Sequence, residues 1–485
     1  MTKHRKPPKG MKKRARPAPS SPPAAAPRRR HRWWAVGIIL IIAVVGVLVI
    51  WQAGDDAEPT PPSTAGRVSP AQRHVAAVLN TYGGQSPENV PAVQEEELAL
   101  AEALIQDFPQ SDAPLSLLAR VHHYRGDITK AEALWKQAAA LNPKRSDLYE
   151  SIGQASQRKD DPNEAIAWWR RGLEANPRAP GLRWQIAKTL VAQGQLDEAL
   201  KLLEVECTLT PTSARNYYLL GQVHQKKRVY EEAKTAYEKT IKLQPDYYNA
   251  HYGLGVVYTR LKEIEKAKEA MARFRELKAQ ADSSEDQRIM INEIPHARHR
   301  AATFYVKAYN LFNPKQEAVI GQRLLERALE LDPNDAHTWE KMAGHYFVGK
   351  HHQKALELFR KATELDPSNP LPHINIGKLY ALMNQPGRAR SSLRQTAARF
   401  PDSHLALAEL ARFYLRAQSD LPEARTLMQK AIALHPTADN YFLLTWACDI
   451  NGDLDGALDA IQKAIALDPR NGTYRSAYER IQAKR

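Results

Sequence analysis

The chain has 485 residues, a formal net charge of +15 and only two cysteines, Cys207 and Cys448. Two cysteines in this length exclude a disulfide-stapled scaffold, and they stand too far apart to pair, so they are expected to be buried free thiols. Twelve of the positive charges lie in the first 32 residues, leaving +3 for the remainder, so the charge gives the body of the chain no reason to bind nucleic acid.

In chain order, residues 1–32 read as a disordered cytoplasmic tail, with twelve Lys or Arg, seven prolines and no acid. Such a tail sets membrane topology and suits contact with anionic lipid. Trp33–Trp51 then runs for 19 residues without a charge. As a helix it would be about 28 Å long, the thickness of a bilayer core. Its terminal tryptophans match the two interfaces, and the charge asymmetry keeps the amino terminus in the cytoplasm and sends the rest of the chain across. Cleavage after Ala53 would put Trp51 where a signal peptidase wants a small residue, which favours an uncleaved signal anchor in the lipid bilayer. No cysteine comes after the run at lipoprotein spacing, which excludes a lipoprotein anchor. Residues 52–70, with Pro59, Pro61, Pro62 and Pro70, form an extended linker. Residues 71–110 are expected to be helical, with Gln94–Pro109 as half of a repeat.

From there a proline returns every 34 residues, at Pro143, Pro177, Pro211 and Pro245, and again at Pro333, Pro367 and Pro401. A fixed period of this length is the mark of one supersecondary unit stacked on itself. Counting the proline as position 32, position 8 is small (Ala119, Gly153, Ala187, Gly221, Gly255, Ala343, Gly377). Position 20 is alanine (Ala131 to Ala389) and position 24 is large (Trp135, Trp169, Leu203, Tyr237, Met271, Phe359, Leu393). Positions 4, 7, 8 and 11 make one helical stripe, and positions 20, 24 and 27 a second. The small residues admit close approach of two backbones, and position 24 fills the space beside them. Between the stripes, Gly126-Asp127 and Gly452-Asp453 read as a left-handed helix end followed by an N-cap. Asp161-Pro162-Asn163-Glu164 offers a cap, a first-turn proline and a capping-box acid.

This constellation resembles the tetratricopeptide repeat family. The resemblance covers ten units, at 112–145, 146–179, 180–213, 214–247, 248–281, 302–335, 336–369, 370–403, 404–437 and 438–471. It implies an all-α, right-handed solenoid of helical hairpins in two blocks, 111–281 and 302–471. The ninth unit has one extra residue and the tenth one fewer. Residues 472–485 are a terminal capping helix. The off-period connector, 282–301, is compatible with a break between two pivoting blocks and equally with a lengthened helix pair inside a continuous stack.

No catalytic, metal or cofactor constellation emerges: His122-His123, His351-His352 and His296/His299 lack acidic or cysteine ligands at metal spacing, and no phosphate loop or nucleophile elbow is present. A surface is the better candidate. The family resemblance implies that positions 5, 9, 12 and 13 of the first helices line a concave face. Position 5 gives Trp184, Tyr218 and Tyr252; position 9 gives Lys188 and Gln222; position 13 gives Lys226 and Arg260. Aromatic rings flanked by cationic and amide groups suit an extended peptide or a partner helix. The alternative is that the rings pack between neighbouring helices. The expectation is therefore a non-enzymatic, membrane-tethered scaffold for a protein or peptide partner, its repeats on the extracytoplasmic side of a bacterial membrane. An assembly factor for a secreted or membrane complex is the second reading, and an accessory subunit of an enzyme supplied in trans the third.

Overall fold

The computed structural model describes residues 73–289, 293–312 and 317–484. The basic tail, the apolar run Trp33–Trp51 and the linker 52–70 lie outside those residues. Among the described residues no helix is long and apolar enough to cross a membrane.

The described residues form twenty-three helices and no strand. An amino-terminal pair, α1 (Arg73–Tyr82) and α2 (Val90–Asp107), precedes five hairpins. These are α3 (Asp112–Tyr124) with α4 (Ile128–Leu141), α5 (Ser146–Arg158) with α6 (Pro162–Ala175), and α7 (Leu182–Ala192) with α8 (Leu196–Leu209). Then come α9 (Ala214–Lys226) with α10 (Tyr230–Leu243), and α11 (Tyr248–Arg260) with α12 (Ile264–Ile289). The second block pairs α13 (Glu293–Tyr309) with α14 (Ala318–Leu331), α15 (Ala336–Val348) with α16 (His352–Leu365), and α17 (Pro370–Leu382) with α18 (Pro386–Arg399). It closes with α19 (His404–Ala417) and α20 (Leu421–Leu434), α21 (Ala438–Ile450) and α22 (Leu454–Leu467), and α23 (Gly472–Gln482).

Local chemistry sets these boundaries. Asp161 accepts the Glu164 amide at 2.8 Å with Pro162 in the first turn of α6, and Asp453 accepts the Gly456 amide at 2.8 Å. Asp127 departs from the expected cap: it makes no capping bond and lies 3.2 Å from His122 Nδ1. Position 15, between the two helices of a unit, is left-handed in the nine units where it is described. Gly126, Gly194 and Gly452 hold it at φ 78–86°, while Asp160, Arg228, Lys262, Lys350, Asn384 and Gln418 hold it at 49–65°.

Each hairpin closes around its position-24 side chain. The Tyr237 ring is 1% exposed, and its hydroxyl donates to Gln225 Oε1 at 2.7 Å. A methyl group at Gly221 would stand 2.7 Å from that ring, and one at Gly253 of the next unit 2.6 Å. Trp169 lies against Gly153 in the same way and donates its indole N–H to the Glu150 carbonyl at 3.1 Å. Both cysteines are buried free thiols, and burial pushes the Cys207 thiol up to about 11.

One feature differs from the sequence reading, and another bears on an alternative that it left open. The amino-terminal segment is a complete hairpin rather than half a repeat: Asp107 at the end of α2 accepts from the Val75 amide at 3.1 Å and meets His74 Nδ1 at 2.8 Å, clipping α1 in place. The connector is also largely helical, since α12 runs on to Ile289 and α13 starts at Glu293. With 26 residues, α12 is about 39 Å long.

The second block takes its packing partner from the start of the chain. Helix α13 packs on α2 and α14 on α1. Phe304, Tyr305, Leu324 and Leu325 share one core with Val75, Leu79, Leu100 and Leu104. Phe312 meets Phe108 edge to face at 5.0 Å. At the centre, Glu96 and Arg327 are 1% and 2% exposed. Arg327 Nε and Nη2 donate to the two Glu96 oxygens at 2.7 and 2.8 Å, and the Tyr305 hydroxyl donates to Glu96 Oε1 at 2.7 Å. Around them Arg298 donates to the Pro87 carbonyl at 2.6 Å and Arg323 to Asn80 Oδ1 at 2.7 Å. Ile289 and Glu293 are four residues apart, a step of at most about 14 Å. The far end of α12 therefore lies within that distance of the start of α13, the helix that packs on α2.

This packing has two measurable consequences. Alanine normally stabilises a helix by about 1 kcal/mol over glycine. At Gly344, where a methyl group would meet nothing within 4 Å, Gly344→Ala should raise the melting temperature. Gly221→Ala should lower it, because displacing Tyr237 costs about 1–3 kcal/mol; equal shifts of one sign would contradict the packing. The second consequence concerns pH. Burial holds the imidazoles of His123, His224, His345, His352, His373 and His404 below their ordinary 6.5. The unfolded chain thus takes up protons first, so this stability is intact above pH 6.5 and lost as pH falls below it. Melting measured from pH 7.5 to 5.5 should show a falling midpoint, and a flat or rising one would contradict the burial.

Candidate partner-binding surface

The seven surface residues sit on three successive first helices: Trp184 and Lys188 on α7, Tyr218, Gln222 and Lys226 on α9, and Tyr252 and Arg260 on α11. The three rings have unlike surroundings. Trp184 is partly buried in the core that it shares with Leu182, Ile186 and Leu219. Its ring has the Lys188 ammonium 5.2 Å from its centroid and the Arg215 guanidinium, from α9, at 4.8 Å. A cation over an indole face is favourable, so Arg215 holds the ring to the next unit. The Trp184 Nε1 donor is buried and has no hydrogen-bond partner among the described residues.

Tyr218 is also partly buried, with its ring 4.9 Å from Tyr247 and 5.9 Å from Tyr237. Its hydroxyl accepts from Gln222 Nε2 at 2.9 Å, and burial raises the phenol above its ordinary value of 10.0. Tyr252 is 49% exposed and meets Phe274 of α12 at 5.2 Å. The geometry thus joins Trp184 to Lys188 and Tyr218 to Gln222. Lys226 and Arg260 are exposed at the last turns of their helices, and neither lies over one of the three rings.

Chemically, the surface offers one open aromatic ring, two rings occupied in holding successive units together, and three exposed cations. Lys188, Lys226 and Arg260 form no ion pair with any described acid. By contrast Lys227, one residue along on the opposite side of the turn, is paired with Asp197. Unpaired exposed cations on the same run of first helices as an accessible tyrosine suit an acidic or amphipathic chain segment.

Sequence reasoning missed the polar cluster where the blocks meet. Glu96 pairs with Tyr305 and Arg327, and Glu97 with Arg300, across more than 200 residues. Their one local signal is that Glu96 and Glu97 sit between Val93 and Leu100 on the apolar face of α2. Burial lifts the Glu97 carboxyl above its ordinary value, and the Arg300 guanidinium partly offsets that rise.

Hairpins of this kind, stacked with a small residue against a large one, define an α-solenoid repeat protein. Family models described as Tetratricopeptide repeat match residues 116–180, 151–214, 218–283, 320–370 and 414–472, and a second model of the same description matches 349–412. The chain belongs to the tetratricopeptide repeat family. It is 27% identical over 164 residues to Protein O-mannosyl-transferase TMTC3 of mouse, a stretch covering 30% of this chain and 18% of that protein. The human protein of that name matches equally. The chain therefore spans less than a fifth of the length of these relatives, and their named activity belongs to them. Among solved structures it is similar to yeast Tom70, at 14% identity and a TM-score of 0.32 over 85% of this chain and 88% of that one. It is also similar to MamA from Desulfovibrio magneticus RS-1, at 24% identity and a TM-score of 0.33 over 35% and 97%.

The surface predicts a separation of effects. Trp184→Ala should cost about 3 kcal/mol of stability by emptying a packed site between units. Tyr252→Ala should shift stability by no more than about 0.5 kcal/mol. Thermal unfolding of the two variants checks this, and comparable losses would contradict the different surroundings of the two rings.

Proposed function

We propose that the chain is a membrane-tethered interaction scaffold that captures an acidic or amphipathic segment of a protein partner on the first-helix face of α7, α9 and α11. The observation that carries the reading is the set of exposed cations Lys188, Lys226 and Arg260, which have no acidic partner among the described residues, on the same three first helices as the open ring of Tyr252. Family membership supports it at the level of a binding surface. Tethering rests on the charge asymmetry about Trp33–Trp51, which anchors the amino terminus in the cytoplasm and puts the repeats on the far face of the membrane.

Crosslinking in native membranes, with quantitative recovery of partners, tests the proposal. Wild-type protein should retain a discrete partner that the double variant Lys226→Glu, Arg260→Glu loses while its melting temperature is unchanged. Equal recovery by both proteins would defeat the surface. Protease added to cells with an opened outer envelope should digest the repeats and spare the tail, and repeats left intact inside sealed cells would reverse the orientation.

A further inference from the structure

Where the second block meets the first, a cavity of about 220 Å³ opens between α2, α3 and α13, lined by Arg120, Tyr124, Arg300 and Lys307 together with Glu97. Three of these side chains are cationic and one is anionic. Glu97 is already occupied, since Arg300 grips it through Nε and Nη2, each at 3.1 Å. The same guanidinium lies over the Tyr124 ring at 4.8 Å. At the rim, His299 Nδ1 is 2.6 Å from Asp332. Asp147, whose carboxyl is lowered in part by Arg120, is bound by Arg145. Arg120 and Lys307 are left, both partly buried, with no carboxylate or other hydrogen-bond acceptor among the described residues.

Two partly desolvated cations facing one small cavity repel each other, and neither forms an ion pair with a described carboxylate: Asp147 is held by Arg145 and Glu97 by Arg300. Burial and the Arg120 charge together lower the Lys307 ammonium from its ordinary value of 10.5. An uncompensated pair of this kind is costly unless an anion completes it.

We propose that this cavity is an oxyanion site in which Arg120 and Lys307 hold one phosphate or carboxylate group between α3 and α13. The guanidinium presents a planar fork that matches either group, and the ammonium adds a point charge from the opposite wall. The two walls belong to different blocks, so a bound anion bridges them and stabilises the folded arrangement by mass action. The cavity has room for a single head group. A free phosphate and a glutamate side chain of an acidic segment share the required chemistry. The site stands independently of the α7–α11 surface.

Calorimetric titration of the full chain tests it, with inorganic phosphate in one arm and a tetraglutamate peptide in the other. Saturable binding is expected in at least one arm, weakened tenfold or more by Arg120→Gln and by Lys307→Met. Binding of phosphate identifies a small free anion as sufficient, and binding of the peptide alone identifies an acidic segment. Without ligand, Lys307→Met should melt at or above the wild-type temperature, because it removes a repulsion. No saturable binding in either arm, binding unchanged by both substitutions, or a lower melting temperature of unliganded Lys307→Met would each overturn the proposal.

Discussion

Glu96 and Arg327 are almost wholly withdrawn from water, and the register in which the second block attaches depends on their meeting. Removing a carboxylate and a guanidinium from solvent costs several kcal/mol for each ion, and Coulomb attraction offsets this only when the remaining hydrogen-bonding capacity is filled. Here it is filled. Glu96 receives Arg327 through both oxygens as well as the Tyr305 hydroxyl, while Arg327 Nη1 donates to the Gln85 carbonyl and to Glu330 Oε2 at 2.7 Å. Glu330 in turn accepts the Gly84 amide at 2.9 Å. A docking shifted by one helical turn would strand at least one buried charge. The network therefore contributes through register, whereas the attraction between the blocks comes from the apolar core of Leu100, Leu104, Phe304 and Leu324 around it.

That arrangement changes how the array is built. A repeat array is ordinarily a line in which each unit touches only its neighbours. In this chain the α1–α2 hairpin has a neighbour on each side, α3 from the first block and α13 from the second. The long α12 precedes α13, which packs there. Two blocks that are separate in sequence thereby share a hairpin, and the cationic cavity of Arg120 and Lys307 lies along the line where they meet.

The repeat interior was legible because its causes are local. Gly221 and Tyr237 belong to one hairpin, and the 34-residue period displays their relation many times over. Turn chemistry was legible for the same reason at Asp161 and Gly452, and less so at Asp127, where His122 draws the carboxylate away from the helix end. The hairpin at 73–107 was half missed because its stabilising partners are Tyr305, Arg323 and Arg327, which no local pattern connects to it. Of the proposed surface, repeat position put the seven residues on the first helices. It did not separate Trp184, which Arg215 ties to the next unit, from Tyr252, which stays open. Ring burial depends on the neighbour's side chain, and that varies from unit to unit.

Amide hydrogen exchange on the wild type, Glu96→Leu, Arg327→Met and the double variant tests the shared hairpin most directly. Each single change removes the main partner of a buried charge, leaving Arg327 with Glu330 or Glu96 with the Tyr305 hydroxyl, a loss of about 3–5 kcal/mol, whereas replacing both by apolar side chains is close to neutral. Protection should therefore fall together in α1, α2, α13 and α14 in both single variants, recover in the double variant, and remain unchanged throughout in α6 to α10. Unaltered protection of α13 and α14 in the single variants, or losses that simply add in the double, would contradict the account.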